Sequence, residues 1–265
     1  MTVHRPDSVD ALIALIAAAS AGGTKLELRG GGSKAAIGAD READIVDMRG
    51  FSGVADYDPP ELVLTVGAGT PLTEVQALVE SKGQMLAFEP FDHGPLFGQP
   101  AGQATIGGVV AAGVAGSGRL TAGGARDHLL GFTAVSGRGE RFAGGGKVVK
   151  NVTGYDLPKL VAASWGRLVA VTELTLKVLP RPAQELTLVQ ERGVADAITE
   201  MNRWARRSLP VSASCYDGDR LYLRLSGTGT AVSAAARQIG GEPMAEAAMF
   251  WEHLREQRHA YFGGT

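Results

Sequence analysis

The sequence predicts an α+β protein built in two parts, and three observations support this prediction. Strands and helices alternate over the first ninety residues, as in an α/β module. A stretch rich in glycine follows at 90–126. After Pro182 the pattern is strand, helix, strand, strand, helix, which is the beginning of a ferredoxin-like unit. We therefore expect one domain over residues 1–182 and a second, smaller domain over 183–265.

The first part has clear helix and strand boundaries. Asp7 or Ser8 is a candidate N-cap for a helix that ends at Gly22-Gly23. Thr70 and Pro71 begin a second helix, which ends before Gly83. Alternating apolar residues predict strands at 25–29, 43–47, 61–66, 85–88 and 168–179, and a hairpin over 131–142.

The second part is predicted to contain strands at 185–190, 211–216 and 220–226 and helices at 194–208 and 230–239. The tail, 244–262, is predicted to form one further helix. The region after Pro182 therefore does not complete the second half of a ferredoxin-like unit. Its large apolar residues are Met249, Phe250, Trp251, Leu254, Tyr261 and Phe262. Either they are exposed and form an interface, or the tail helix packs on its own sheet.

Composition excludes several classes of protein. The net charge is -2, which argues against a nucleic-acid-binding surface. Cys215 is the single cysteine, so the chain has no disulfide framework and no cysteine-ligated metal cluster. No apolar run approaches the roughly 18 residues of a membrane span, and a cytoplasmic protein is the default. Glycine makes up 37 of 265 residues, about twice the usual share of about 7%.

Two glycine loops are the candidate binding elements, because the Rossmann, P-loop and nucleophile-elbow signatures are all missing. Arg29 to Ser33, with three successive glycines, follows a predicted strand; it is either an anion-binding nest or a plain flexible turn. Gln103 to Gly108 opens an Ala/Val-rich segment, where Thr105 is a candidate N-cap of a helix whose N-terminus attracts phosphate. Together the loops suggest a dinucleotide lying between them.

These loops and further motifs occur in the order of a known family. The other motifs are Val66 to Gly69, Arg126 to Gly131, Lys150 to Leu157 and Val171 to Glu173. The chain resembles the vanillyl-alcohol-oxidase/PCMH-type FAD-binding flavoproteins and, more closely, the E subunits of bacterial glycolate oxidase. The resemblance covers residues 1 to about 180 well. It implies a two-part PCMH-type FAD-binding domain followed by an incomplete ferredoxin-like cap, or substrate, domain.

The resemblance also implies roles for individual residues. The residues matched to the first pyrophosphate loop and its flank are Arg29, Gly30, Gly31, Gly32, Ser33 and Lys34. The second FAD segment matches Thr105, Ile106, Gly107 and Gly108. The segment that closes over the cofactor matches Gly123, Arg126 and Asp127, and the late strand beside FAD matches Val169 and Val171. On this basis Gly31→Asp is expected to abolish FAD binding more than it lowers stability.

Departures from the family refine the hypothesis. Ser33-Lys34 stand where some relatives have a flavin-linking histidine, so the resemblance implies noncovalent FAD. The family's Gly-Ser-x-Gly is replaced by 163–166, Ala-Ser-Trp-Gly, and no histidine-based metal motif is present. Lys150, Arg126 and Tyr155 are candidates for a carboxylate clamp or a base, but no motif supports a catalytic role, and no catalytic residue is assigned.

The function implied by the resemblance is the FAD-binding subunit of a glycolate oxidase complex, which oxidises glycolate or a related 2-hydroxy acid to the 2-oxo acid. The alternative is a noncatalytic FAD-binding subunit that relays electrons or scaffolds the complex while a sister flavin subunit performs the chemistry. A non-flavin α/β protein with glycine-rich turns is a third hypothesis. The implied partners are a sister FAD subunit and an iron–sulfur subunit, and peripheral association of the complex with a membrane stays open.

Overall fold

The computed structural model describes residues 1–39, 42–146 and 155–263. The chain divides into two compact units. The first consists of Met1–Val114 and Gly124–Pro180, and the second of Ala115–Gly123 and Arg181–Thr265. A short internal segment therefore belongs to the same unit as the C-terminal part of the chain.

The helices are α1 (Val9–Gly22), α2 (Leu72–Glu80), α3 (Ile106–Ala112), α4 (Arg119–Ala122), α5 (Ala125–His128), α6 (Leu157–Val161), α7 (Val194–Ala205), α8 (Gly229–Ile239) and α9 (Ala247–Arg255). The strands are β1 (Val3–His4), β2 (Leu26–Arg29), β3 (Asp44–Asp47), β4 (Val54–Asp58), β5 (Val63–Gly67), β6 (Gln84–Met85), β7 (Leu129–Ser136), β8 (Arg141–Gly145), β9 (Val169–Lys177), β10 (Leu179–Pro180), β11 (Gln184–Glu191), β12 (Val211–Tyr216), β13 (Arg220–Gly227) and β14 (Glu242–Pro243).

The first unit contains two main sheets. One is a parallel sheet of three strands in the order β1-β3-β2. The other is antiparallel, with five strands in the order β4-β5-β9-β7-β8. The short strands β6 and β10 pair separately. The parallel sheet ends at the first glycine loop, which directly follows β2.

Helix α1 shows how the sequence sets local structure. The Ser8 hydroxyl accepts a hydrogen bond from the amide of Ala11, and Gly23 ends the helix in the left-handed region at φ 67°. Leu12 and Ile16, one turn apart, are buried and pack in a cluster with Val46 of β3 and Val135 of β7. This cluster joins the parallel sheet to the antiparallel one.

A second and larger core lies against the five-stranded sheet. Leu64 of β5, Leu174 of β9 and Phe132 of β7 pack with Val75 of α2 and Ile106 of α3, all of them buried. Ile106 is fully buried. Because α3 is held by this core, the glycine loop that begins it has a fixed position.

The second unit contains a four-stranded antiparallel sheet in the order β12-β13-β11-β14. Buried apolar residues of α7 and α8, including Trp204 and Val232, pack with Leu221 and Leu223 of β13 on one face. The internal segment joins this unit through α4, where the Thr121 hydroxyl donates to the carbonyl of Ser212 in β12.

Of the two alternatives for the tail, the structure shows the helix packed on its own sheet. Phe250 and Trp251 of α9 are 7% and 5% exposed and pack with Ala213 and Tyr222. The Trp251 indole N–H also donates to the Thr187 hydroxyl at 2.8 Å. The tail helix therefore packs on its own sheet, while its large apolar residues Met249, Tyr261 and Phe262 remain exposed.

Two strand predictions in the first unit also need correction. The strand expected at 85–88 shortens to β6, because the chain turns after Met85. Strand β4 was missed because its residues are mostly exposed, so no apolar alternation marks it. The described part of the chain includes no helix long and apolar enough to cross a bilayer.

Candidate cofactor site

A cleft of about 1090 Å³ opens in the first unit. Its walls come from β2 and the first glycine loop, from the beginning of α3, from 164–167 and from β9. The predicted site residues that line it are Arg29, Gly30, Gly31, Gly32, Ser33, Lys34, Thr105, Gly107, Gly108, Val169 and Val171. The structure thus brings the two glycine loops and the late strand to one site.

The first glycine loop packs directly on the second. A β-carbon at Gly30 would collide with the Thr105 hydroxyl, and one at Gly31 with the backbone carbonyl of Gln103. Only glycine allows this close approach of two backbones. Gly32 lies in the left-handed region at φ 78°, with open space beside it.

The backbone amides of the first loop are unused by the protein. Within the described residues, the amides of Gly31, Gly32, Ser33 and Lys34 donate no hydrogen bond. Ser33 is buried and its neighbours are half-buried. Four successive backbone donors that make no bond within the protein and belong to residues lining a cleft are available to a bound acceptor. A group rich in oxygen atoms, such as a phosphate, is such an acceptor.

The second loop behaves differently. Thr105 caps α3 as predicted, and its hydroxyl accepts from the amide of Gly108 at 3.2 Å. The amides of Ile106 and Gly107 donate to Thr70 and Ala68. The first amides of α3 are therefore already paired, so α3 offers an anion the partial positive charge of its N-terminus rather than unpaired N–H groups.

Two basic residues stand at the first loop. The Arg29 guanidinium Nε donates to the Glu27 carboxylate at 2.6 Å, which offsets its charge. Lys34 makes no salt bridge within the described residues, and its Nζ donates only to the Ser33 hydroxyl at 3.4 Å. Burial lowers the pKa of Lys34, and the nearby Asp92 carboxylate acts in the opposite direction.

Another wall of the cleft, at 163–166, has strained backbone. Ala163 and Trp165 lie at φ 61° and 56°, in a region that side chains rarely adopt. Their amides donate to Val110 and Ala111 of α3, at 3.0 Å and 2.8 Å, and hold the turn there. Ser164, Trp165 and Gly166 line the cleft. The altered Ala-Ser-Trp-Gly motif thus still forms a wall of the site.

Other predicted residues lie elsewhere. Ile106 is a core residue of the first unit rather than a cleft residue. Gly123 ends α4 in the second unit. Arg126 and Asp127 are exposed and do not line the cleft: the Arg126 Nε donates to the carbonyl of Lys159, and the Asp127 carboxylate accepts from the amide of Gly124. These contacts are those of residues that hold local structure.

The candidate clamp and base residues receive no support from the geometry. Tyr155 is 91% exposed, and Arg126 is held by the Lys159 carbonyl. Lys150 and most of the motif around it lie outside the described residues. Sequence analysis also missed Asp92, whose hydrogen bonds reach residues 11 and 12 positions further along the chain; no local pattern marks such a role.

Comparisons with known proteins identify the family. Residues 2–144 match the model of the FAD binding domain family. The chain is 41% identical to glycolate oxidase subunit GlcE of Escherichia coli K12, over 97% of this chain and 71% of that protein. It is 34% identical to glycolate oxidase subunit GlcD of Bacillus subtilis over 51% of this chain, and spans 27% of that relative.

A solved structure shows the same fold. The chain superimposes on an alkyldihydroxyacetonephosphate synthase with a TM-score of 0.71 at 16% sequence identity. The match covers 97% of this chain and 55% of the synthase, so the chain spans about half the length of that protein.

Proposed function

The chain belongs to the FAD binding domain family, and on that premise we propose that it is the FAD-binding subunit of a complex that oxidises glycolate or a related 2-hydroxy acid. The similarity to GlcE supports the assignment to a complex. We propose that the region 183–265 acts as a cap, or substrate, domain, and that the chain works with a sister FAD subunit and an iron–sulfur subunit.

The unpaired amides of Gly31 to Lys34 are the observation that supports this proposal most. They suit the diphosphate of FAD, which presents several acceptor oxygens at once. The cleft of about 1090 Å³ lies at the upper end of the range of roughly 300–1,000 Å³ for small-molecule sites. The cofactor's size and charge therefore fit the residues present.

FAD, when bound, supplies the acceptor for the two electrons of the hydroxy acid. The chain's own residues would bind and shield it. The first loop would hold the diphosphate through its amides, and Lys34 would add positive charge. The side chains of Trp165, Val169 and Val171 would exclude water from their part of the cleft.

In the proposed complex, electrons pass from this chain to a partner subunit. Cys215 is the single cysteine, too few ligands for an iron–sulfur cluster. Burial raises the pKa of its thiol to about 11, so the thiol stays protonated at neutral pH. A separate iron–sulfur subunit would account for the onward transfer of electrons.

Noncovalent binding is tested by acid precipitation of the purified, FAD-reconstituted chain. The proposal expects yellow flavin in the supernatant. Flavin that stays with the pellet contradicts noncovalent binding. A chain that takes up no FAD contradicts the proposed function as a whole.

The electron-relay role is the second candidate function. In the described part of the cleft, the titratable side chains are lysine, arginine and glutamate, and no histidine or tyrosine lines it, so a base for the substrate hydroxyl is not evident. Glycolate-dependent dye reduction by the lone chain, then by the chain with its sister subunits, separates the two roles. Turnover by the lone chain at about 10 per second would show a self-sufficient enzyme.

A further inference from the structure

One carboxylate ties the second glycine loop to a separate turn. Asp92 accepts hydrogen bonds through both oxygens: Oδ1 from the amide of Gly94 at 2.9 Å, and Oδ2 from the amides of Gln103 and Ala104 at 2.9 Å and 3.3 Å. Hydrogen bonds to an ionised carboxylate are stronger than neutral ones. Asp92 therefore fixes the backbone that immediately precedes Thr105.

The same backbone supports the first loop. Gly31 packs against the carbonyl of Gln103, and Gly30 against the Thr105 side chain. Ala104 is buried, and its carbonyl accepts from the amide of Leu72 at the start of α2. A shift at 103–104 would thus move the surface on which the unpaired amides of the first loop rest.

The Asp92 carboxylate also acts on the ammonium of Lys34. Burial lowers the pKa of Lys34, and Asp92 is the charge that raises it. His93, next in the chain, is stacked on Phe91 with ring centroids 4.2 Å apart. Burial first and the charge of Lys34 second lower the pKa of His93, so this imidazole is neutral at pH 7 and above and adds no competing positive charge.

We infer that Asp92 is a positioning residue for the FAD site, with two roles: its carboxylate holds the second glycine loop in place and supplies a negative counter-charge to Lys34, which lines the cleft. This inference rests on the proposed binding of FAD in the cleft. It gives Asp92 a role through other residues, without contact with the cofactor.

The inference makes FAD affinity depend on pH in a defined direction. The anionic diphosphate binds protonated Lys34 better than neutral Lys34, so affinity falls as pH rises through the pKa of Lys34. Removing the Asp92 charge lowers that pKa further, and the fall begins at lower pH. The charged groups that act on Lys34 are Asp92 and, when protonated, His93. The other charged groups along the cleft are the Met1 amine, Lys25, Glu27, Arg29, Glu42 and Arg167.

The test compares the FAD affinity of the full chain with that of Asp92→Asn between pH 7 and pH 9, by fluorescence titration. Asparagine keeps the size of the side chain but loses one acceptor and the charge. The lost acceptor weakens binding equally at every pH. The lost charge lowers the pKa of Lys34, so it adds a deficit that grows as pH rises, up to about tenfold for each pKa unit lost.

A second variant separates the two contributions. Arginine stays protonated throughout this range, so Lys34→Arg in the Asp92→Asn background should remove the pH-dependent part of the deficit and leave the constant part. Asp7→Asn, which removes one exposed acidic charge, is the matched control and should bind FAD as the unaltered chain does. Melting curves of the FAD-free variants show whether each one folds.

The outcomes distinguish the inference from the proposed function. A deficit in Asp92→Asn that is the same at every pH, or a pH-dependent part that Lys34→Arg does not remove, would overturn the inference while FAD binding stands. So would an Asp92→Asn chain that binds FAD like the control. Failure of the unaltered chain to bind FAD would instead overturn the proposed function.

Discussion

Gly31 and the carbonyl oxygen of Gln103 lie so close that a β-carbon on Gly31 would collide with that oxygen. At this point the two glycine loops touch backbone to backbone, while the neighbouring Gly30 packs against the Thr105 side chain. Substitutions in the first loop should therefore mainly affect folding, whereas substitutions in the second loop should mainly affect cofactor binding.

Gly31→Ala should destabilise the FAD-free protein. The added methyl meets rigid backbone rather than a movable side chain, and overpacking of this kind costs about 1–3 kcal/mol. Urea unfolding of the FAD-free chain measures the change, with Gly137→Ala as control, because a β-carbon at Gly137 meets no neighbouring atom. The contact with Gln103 thus removes the basis for expecting Gly31→Asp to affect binding more than stability.

Gly108→Ala should show the opposite balance. Its β-carbon would meet only the Thr105 hydroxyl, at 3.2 Å, and Gly108 lines the cleft at the first turn of α3. Alanine is favoured over glycine in a helix by about 1 kcal/mol, so the free energy of unfolding should change by no more than about that amount. FAD affinity should fall at least about tenfold. Unchanged affinity would mean that α3 does not approach the cofactor.

Lys34→Met should alter the pH dependence of stability in the FAD-free chain. Burial lowers the pKa of Lys34 in the folded state, so between that pKa and the ordinary lysine value of 10.5 the unfolded chain binds more protons. Stability then rises with pH through this window. Methionine removes the effect. The variant should be more stable than the unaltered chain at pH 7, and the difference should shrink toward pH 10.5. Thermal melts at several pH values measure this, and parallel curves would contradict it.

Trp251→Ala should strongly destabilise the second unit. The indole is buried, donates to the Thr187 hydroxyl, and has the Arg224 guanidinium over its ring at 5.1 Å. Removing a buried tryptophan costs about 3–5 kcal/mol. Met249→Ala on the same helix is the matched control, because Met249 is 48% exposed. Equal, small effects in urea unfolding would show that α9 does not cover the sheet in solution.

Local patterns predicted much of the fold. Three features depend on residues close in sequence: the Ser8 cap, Gly107 and Gly108 at the start of α3, and the strand–helix–strand–strand–helix order after Pro182. The helices and strands formed where those patterns indicated. The packing of α9 was less accessible, because the pattern of Phe250 and Trp251 suits an interface as well as a core. Asp92 was missed because its partners are set by the tertiary fold.

The candidate site shows the same division. The glycines that line the cleft were identifiable because their sequence pattern reflects a backbone requirement. The unused amides of the first loop, and the pairing of the amides at the start of α3, depend on neighbours such as Thr70 and Ala68. These neighbours come from another part of the chain, and no motif in the loops themselves specifies them.

The inclusion of 115–123 in the second unit has a practical consequence for protein engineering. A gene fragment that begins at Arg181 would encode the sheet but lack α4, and β12 would lose the Thr121 hydroxyl that donates to Ser212. A cut before Arg181 therefore leaves the C-terminal fragment without 115–123, and leaves the N-terminal fragment with that segment but without the rest of its unit. Exchange of this unit between related proteins requires two simultaneous grafts, one internal and one terminal, and chimeras with a single junction near Pro180 should express poorly.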